Sequence, residues 1–286
     1  MSAEEVIMAK EFHQAPLPFV GQKRFFLKHF ISVLNNNIPD DGAGWTIVDV
    51  FGGSGLLAHN AKQCKPAATV IYNDFDGYRE RLKHIDDTNR LRQGLSELTA
   101  NIPRYHRFSD EKKAELINYI RSFDGFIDVH ALRTWLMFGA RQEKTIKEIL
   151  ENNNMYNCIR RSDYRYPTGY LDNVEVTSQS YESLMPEYFN QPKTLLILDP
   201  PYLSTSQGAY NKSEYFGMIK FLKLMQFVRP PFIFFSSTRS ELLQYLDYMI
   251  EGKLEHYHRF TNYQLINITA HISHKINYED NMIYKF

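Results

Sequence analysis

The chain has 286 residues, 43% of them hydrophobic and 14% aromatic, with 20 Phe and 19 Tyr. That composition excludes a solvated coil and supplies one sizeable core, with material left for a satellite domain. The 33 basic and 33 acidic residues cancel, so a surface for a polyanion has to come from local clustering.

The longest apolar runs, such as Thr194–Leu198 and Pro230–Phe235, fall short of the ~20 residues that span a bilayer, and no membrane span is expected. Met1-Ser-Ala-Glu-Glu has no basic region leading into an apolar stretch, so no secretory signal is expected either. Cys64 and Cys158 lack the spacing of a zinc site and read as reduced thiols, which implies a cytoplasmic protein. The histidine pairs His256/His258 and His271/His274 have no carboxylate or cysteine cluster to complete a metal site, and no metal is expected. A monomer or weak dimer is expected.

Along the chain, Gly21 to Asn35 places Phe26, Phe30, Val33 and Leu34 at helical spacing. The β-branched run Thr46–Val50 reads as a buried strand, and it opens directly into Gly52-Gly-Ser-Gly55 and a helix over Leu56–Lys62. Thr69–Tyr72 is a second strand, ending at Asn73-Asp74; Thr194–Leu198 is a third and Pro231–Ser236 a fourth. Strands alternating with helices predict an α/β fold with a largely parallel sheet covered on both faces.

One interval breaks that rhythm. A βαβ crossover takes roughly 30 residues, yet roughly 120 separate the strand before Asp74 from the one before Asp199. Helices are predicted inside it over Ser109–Ser122 and Ala131–Leu150, followed by a polar, hairpin-like stretch from Asn152 to Asn173. We therefore divide the chain into a domain of residues 1–85 and 174–286 and a mainly helical insert of residues 86–173. Within the hairpin-like stretch Arg160, Arg161 and Arg165 face the single Asp163 and interleave with Tyr164 and Tyr166, which suits contact with phosphates and bases. Trp135, with Leu132 and Leu136, fits the buried face of a helix.

Two segments carry chemistry. In Asp49-Val-Phe-Gly-Gly-Ser-Gly55, glycines at 53 and 55 allow a sharp turn that brings backbone N–H groups against a ligand at a helix N-terminus. Gly53-x-Gly55-x-x-Ala58 fits a dinucleotide fingerprint, with Asp74 placed 19 positions after Gly55 to accept from ribose hydroxyls. NAD and S-adenosylmethionine both satisfy this loop. Gly53-Ser54-Gly55 lacks the spacing of a nucleophile elbow, which excludes acyl transfer.

The second segment is Asp199-Pro200-Pro201-Tyr202, directly after a buried strand and hence at the carboxyl edge of the sheet. The prolines remove two donors and leave their carbonyls to accept. A carboxylate and one proline carbonyl can converge on a single –NH2 group beside an aromatic stacking face. That suits an exocyclic amine, whose nitrogen becomes more nucleophilic as both hydrogens are accepted, with Asp199 taking the proton late. Ser236-Ser237-Thr238 is expected by position alone to line the pocket.

With these segments in place, the chain resembles the DNA adenine methyltransferases of the Dam type, in which the cofactor motif precedes the catalytic one. Pro18-Phe-Val-Gly-Gln-Lys23 resembles that family's N-terminal Pro-Phe-x-Gly-x-Lys motif, which implies Phe19, Gly21 and Lys23 at the cofactor and target site. Asp49, Phe51, Gly53, Ser54 and Gly55 match the cofactor loop, with Phe51 near the adenosine ring, and Asp74 matches the ribose acid. Val174 to Glu182 stands where the motif around the cofactor's adenine is expected; Ser180 or Tyr181 would contribute there, although the family's usual acid is absent.

The resemblance implies a Rossmann-like S-adenosylmethionine-dependent methyltransferase sheet and a target-recognition insert. It also implies site-specific methylation of an adenine flipped out of double-stranded DNA. Asp199, Pro200, Pro201 and Tyr202 would be catalytic, Asp199 would also face the cofactor, and Lys23, Arg160, Arg161, Arg165 and Tyr166 would contact DNA, with Tyr166-Pro-Thr-Gly169 similar to the family's DNA-contacting hairpin. Two alternatives stay open: an RNA base or a protein amide as acceptor, and a non-catalytic binding module.

Overall fold

The computed structural model describes residues 12–138, 143–203, 216–237, 241–273 and 276–286, with the backbone alone for 269–273 and 276–279. A 3-10 turn (Arg24–Phe26) leads into α1 (Leu27–Asn37), β1 (Thr46–Asp49), α2 (Leu56–Cys64) and β2 (Thr69–Asn73). Then come α3 (Tyr78–Lys83), α4 (Ile85–Leu98), α5 (Asp110–Ser122), α6 (Val129–Leu136) and α7 (Ile146–Leu150). The chain returns to the sheet through β3 (Glu175–Thr177), α8 (Tyr181–Tyr188), β4 (Thr194–Leu198), α9 (Met218–Phe227), β5 (Phe232–Ser237) and α10 (Leu242–Glu251). It finishes with the strands β6 (Gln264–Ser273) and β7 (Ile276–Lys285).

The sheet order is β3-β2-β1-β4-β5-β7-β6, parallel from β3 to β5, with β7 antiparallel to both β5 and β6. Strand order reverses between β1 and β4, which pair with Asp49 opposite Ile197. Ligands bind outside the carboxyl ends of strands at such a switch point, and the glycine loop and the Asp199 tetrapeptide both leave the sheet there.

Full burial of the central strands explains their unbroken apolar runs. Alternate residues feed opposite faces: Ile47, Leu195, Ile197, Ile233 and Phe235 join the cluster under α1 and α2, while Val48, Leu196, Leu198, Phe232 and Phe234 join the one under α8, α9 and α10. The first cluster continues without a break into the helices between β2 and β3, through Leu91, Leu95, Leu116, Leu132 and Trp135.

Three expectations need correction. The single helix predicted over Ala131–Leu150 is two, because Met137 is already extended and Thr145 starts a fresh helix by accepting from the Glu148 N–H. The stretch Asn152–Asn173 forms no hairpin within itself; an isolated bridge joins Tyr156 to Arg107, backbone bonds tie Met155–Cys158 to residues 105–108 and to Trp135 and Leu136, and side chains hold much of the remainder. Finally, β3, β6 and β7 were not anticipated. Trp135 is core, as expected: it is buried, donates to the Tyr164 hydroxyl at 3.1 Å and stacks on that ring.

Candidate active site

β1 ends at Asp49, and the chain must turn within the next six residues to enter α2. Gly53 and Gly55 do so with φ of +51° and +73°, a region in which side chains are strained. Both also lack room for a Cβ, which would lie 2.8 Å from Phe19 Cε1 at Gly53 and 2.9 Å from Leu171 Cδ2 at Gly55. Two buried tyrosines brace the loop from below. Tyr72 Oη donates to the Gly53 carbonyl at 2.7 Å, and Tyr170 Oη donates to the Ser54 carbonyl at 2.7 Å.

Across the switch point, the Lys23 ammonium donates to Asp199 Oδ2 and, at 2.9 Å, to the Gly21 carbonyl. It also lies 5.8 Å from the centre of the Tyr202 ring and 5.7 Å from that of Phe235. Burial raises the Asp199 carboxyl above the usual carboxylate range, and Lys23 opposes that rise. Behind them Asp49 is 1% exposed, and among the described residues neither of its carboxyl oxygens has a hydrogen-bond partner. Desolvation first, and repulsion from Asp199 second, push it up to about 7. Asp280, paired across the sheet with Ser237, is a third carboxyl in this field; burial raises it as well.

Lys23 reaches Asp199 because its own segment is pinned. The Tyr78 hydroxyl accepts from the Leu17 N–H at 2.8 Å and donates to the Leu17 carbonyl at 3.0 Å. Arg81 donates to the Pro18 carbonyl at 2.8 Å and makes a buried two-pronged pair with Asp128, whose Oδ1 also caps α6 through the Ala131 N–H. Helix α3, which carries Tyr78 and Arg81, is in turn anchored by Asp74, whose carboxyl accepts from the Tyr78 and Arg79 N–H groups at 2.6 and 2.9 Å and from Tyr72 Oη at 3.0 Å. Sequence reasoning missed Tyr72, Tyr78, Arg81, Asp128 and Asp280. A charged pair 47 positions apart carries no local signal, and Arg81, between Glu80 and Leu82, looks in the sequence like a solvated helix arginine.

A cleft of about 880 Å³ opens beside the ion pair. Phe19, Gly21, Lys23, Asp199, Pro200 and Tyr202 line it together with Arg160 from the segment between β2 and β3. Pro201, Arg161, Arg165, Tyr166, Ser236 and Ser237 are not in that lining, and Thr238 lies outside the described residues. Phe51 sits on the other side of the loop in an aromatic group with Tyr181 and Phe216, ring centres 5.7 and 6.1 Å away. Ser180 Oγ caps α8 by accepting from the Ser183 N–H, and the buried Tyr181 donates its Oη to the Lys220 carbonyl, so both hydroxyls are used within the fold and neither residue lines the cleft.

Between β2 and β3, Asp163 is occupied by Arg92 and Gln93, while Arg92 also donates to the Arg160 carbonyl. Arg160 lies over the Tyr164 ring at 4.1 Å and Arg165 over Phe12 at 4.0 Å. Tyr166 is exposed and donates to Asp86 at 2.5 Å. Among the described residues no helix is long and apolar enough to cross a membrane, and no group of three or more His, Cys, Asp or Glu could hold a metal ion.

The family model for D12 class N6 adenine-specific DNA methyltransferases matches residues 19–221, a span that starts in the Lys23 segment and runs past the Asp199 tetrapeptide. A protein of Haemophilus influenzae named "Putative methyltransferase" is 55% identical over 278 residues, covering 97% of this chain and 94% of its own. With the glycine loop and the Asp-Pro-Pro-Tyr cleft meeting at the switch point, the chain belongs to the D12 class N6 adenine-specific DNA methyltransferases, enzymes that methylate adenine in DNA.

Proposed function

We propose that the methyl donor is S-adenosylmethionine and that the acceptor is the amino group of an adenine turned out of double-stranded DNA into the Lys23–Tyr202 cleft. The observation that carries this reading is that Asp199, Pro200 and Tyr202 line one open cleft at the switch point. Asp199 and the Pro200 carbonyl accept the two amino hydrogens and fix the direction of the nitrogen lone pair, and Tyr202 stacks on the base. The raised affinity of Asp199 for a proton suits it to take one up once the amine has become cationic.

The residues at the loop fit this donor. A buried carboxylate without a counter-charge in contact is costly, and Asp49 is such a group at the start of the glycine turn, eased only in part by the Ala58 N–H and by Lys23. An ammonium, such as that of the donor's amino-acid portion, would satisfy it. When bound, S-adenosylmethionine supplies the methyl group on a cationic sulfur. Phe51, packed against Tyr181, offers an aromatic face for its adenine, Asp74 a carboxyl edge for its ribose, and Phe19, Gly21, Gly53, Ser54 and Gly55 the surrounding wall.

In the same reading residues 86–173 form the unit that recognises the target sequence. Because Arg92 and Gln93 already engage Asp163, the charges of Arg160, Arg161 and Arg165 remain for phosphates, with Tyr166 beside them. Incubation with isotopically labelled S-adenosylmethionine and unmethylated duplex DNA, followed by hydrolysis to nucleosides, tests the proposal. Label in N6-methyldeoxyadenosine is the expected result. Label only in RNA or protein offered in parallel would refute it, and so would no transfer.

A further inference from the structure

Phe25 is 67% exposed, although it stands between two residues committed to the site, Arg24 on the cleft wall and the buried Phe26. Three features set it apart from a stray surface hydrophobe. First, it lines the catalytic cleft, two positions from Lys23. Second, its pedestal is rigid: Phe26 donates its N–H to the Lys23 carbonyl at 2.9 Å and packs edge-on against Phe235 of β5, 5.4 Å between ring centres. Third, the Arg24 guanidinium lies 4.6 Å over the Phe25 ring, so the exposed aromatic carries a cation on one face. Val20, 53% exposed, stands in the same segment.

An aromatic ring held rigidly at the mouth of an active cleft, with an arginine stacked on it, is the equipment for entering a base stack. The arginine draws the phosphate backbone close, and the ring replaces stacking lost when a base leaves. We propose that Phe25 is a positioning residue that inserts into the duplex at the gap left by the target adenine. There it stacks on the neighbouring base pair and holds the flipped state open while Lys23, Asp199 and Tyr202 engage the extruded base. This rests on the flipped-adenine reading above. It adds a wedge from the N-terminal segment, separate from the insert.

The test uses the full chain and duplexes carrying its own methylation site, mapped beforehand by sequencing plasmid DNA methylated in vitro. One duplex has thymine opposite the target adenine; the other has an abasic site there, so that the adenine is already unpaired and flips at little cost. For Phe25→Ala we expect kcat/KM to fall about tenfold or more on the paired duplex and to stay within about twofold on the abasic one. Phe25→Trp should restore activity on the paired duplex, and 2-aminopurine at the target position should brighten with wild type and much less with Phe25→Ala. Cofactor affinity should be unchanged in both variants. Equal losses on the two duplexes, or no loss on either, would overturn the wedge. If instead the wild type transferred no methyl group to adenine in either duplex, the flipped-adenine reading itself would fail.

Discussion

The Lys23 ammonium donates to the Asp199 carboxylate across 176 positions of sequence, joining the N-terminal segment to the end of β4. This contact sets the charge state of the site. Burial favours the neutral acid at Asp199 and the lysine favours the carboxylate. Both side chains are largely buried, so solvent screens the pair weakly.

Removing the lysine should therefore push the Asp199 carboxyl further up. In Lys23→Gln the acidic limb of the kcat–pH profile should move to higher pH by about one unit or more, with Lys23→Arg restoring much of the original position. A profile unchanged in Lys23→Gln would dissociate Lys23 from the ionisation of the site.

Asp49 gives a prediction of opposite flavour, in which function and stability diverge. Its carboxyl rises from 3.8 to about 7 on folding, so the native state holds a proton that the unfolded chain has released. Stability from this group is then greatest below the ordinary carboxylate range and is lost as pH climbs toward 7. At 1.36 kcal/mol per unit the loss is on the order of 4 kcal/mol as an upper bound. Asp49→Asn should be more stable than wild type, by about 1–3 kcal/mol at pH 8 and by much less at pH 4, in urea titrations. Calorimetry should find that the variant has lost cofactor binding, and that wild-type affinity weakens as pH falls below about 7.

The Arg81–Asp128 pair ties α3 to α6 and holds the Pro18 carbonyl. Arg81→Ala leaves a buried carboxylate without its counter-charge and should cost about 3–5 kcal/mol of unfolding free energy. Activity at temperatures where the variant is still folded should fall too, because the Lys23 segment loses its anchor. A loss below about 1 kcal/mol would mean the pair is neither buried nor coupled as described.

Between β2 and β3, neutralising Arg160, Arg161 and Arg165 together should weaken DNA binding and flatten its salt dependence by about 0.9 in the log–log slope for each phosphate contact removed. Methyl-donor affinity should not change. Arg92→Ala should have a milder effect of the same sign, since it exposes the Asp163 charge among the three arginines. Fluorescence anisotropy at several salt concentrations distinguishes these outcomes.

What could be read from the sequence follows from how each element is buried. Strands β1, β2, β4 and β5 are enclosed by helices and appear as continuous apolar runs, so their existence and places along the chain are legible, whereas the order in which they pair, and with it the switch point, is not. β3 is three residues of intermediate or exposed character. β6 carries exposed residues such as Leu265 next to polar ones, so neither apolar continuity nor a clean alternation marks it. The Asp199 tetrapeptide and the glycine loop were legible because their chemistry is local. The supports under them were not: Tyr170, Tyr78, Asp128 and Asp280 are brought in by packing across the fold, and no spacing rule joins Asp128 to Pro18.

The most direct trial of the cleft is single-turnover methyl transfer by Asp199→Ala on duplex DNA, with donor binding measured in parallel. Transfer to adenine should drop by about a thousandfold or more, while donor affinity stays within a fewfold of wild type. Transfer at near wild-type rate in that variant would contradict the assignment of Asp199 to the amino group.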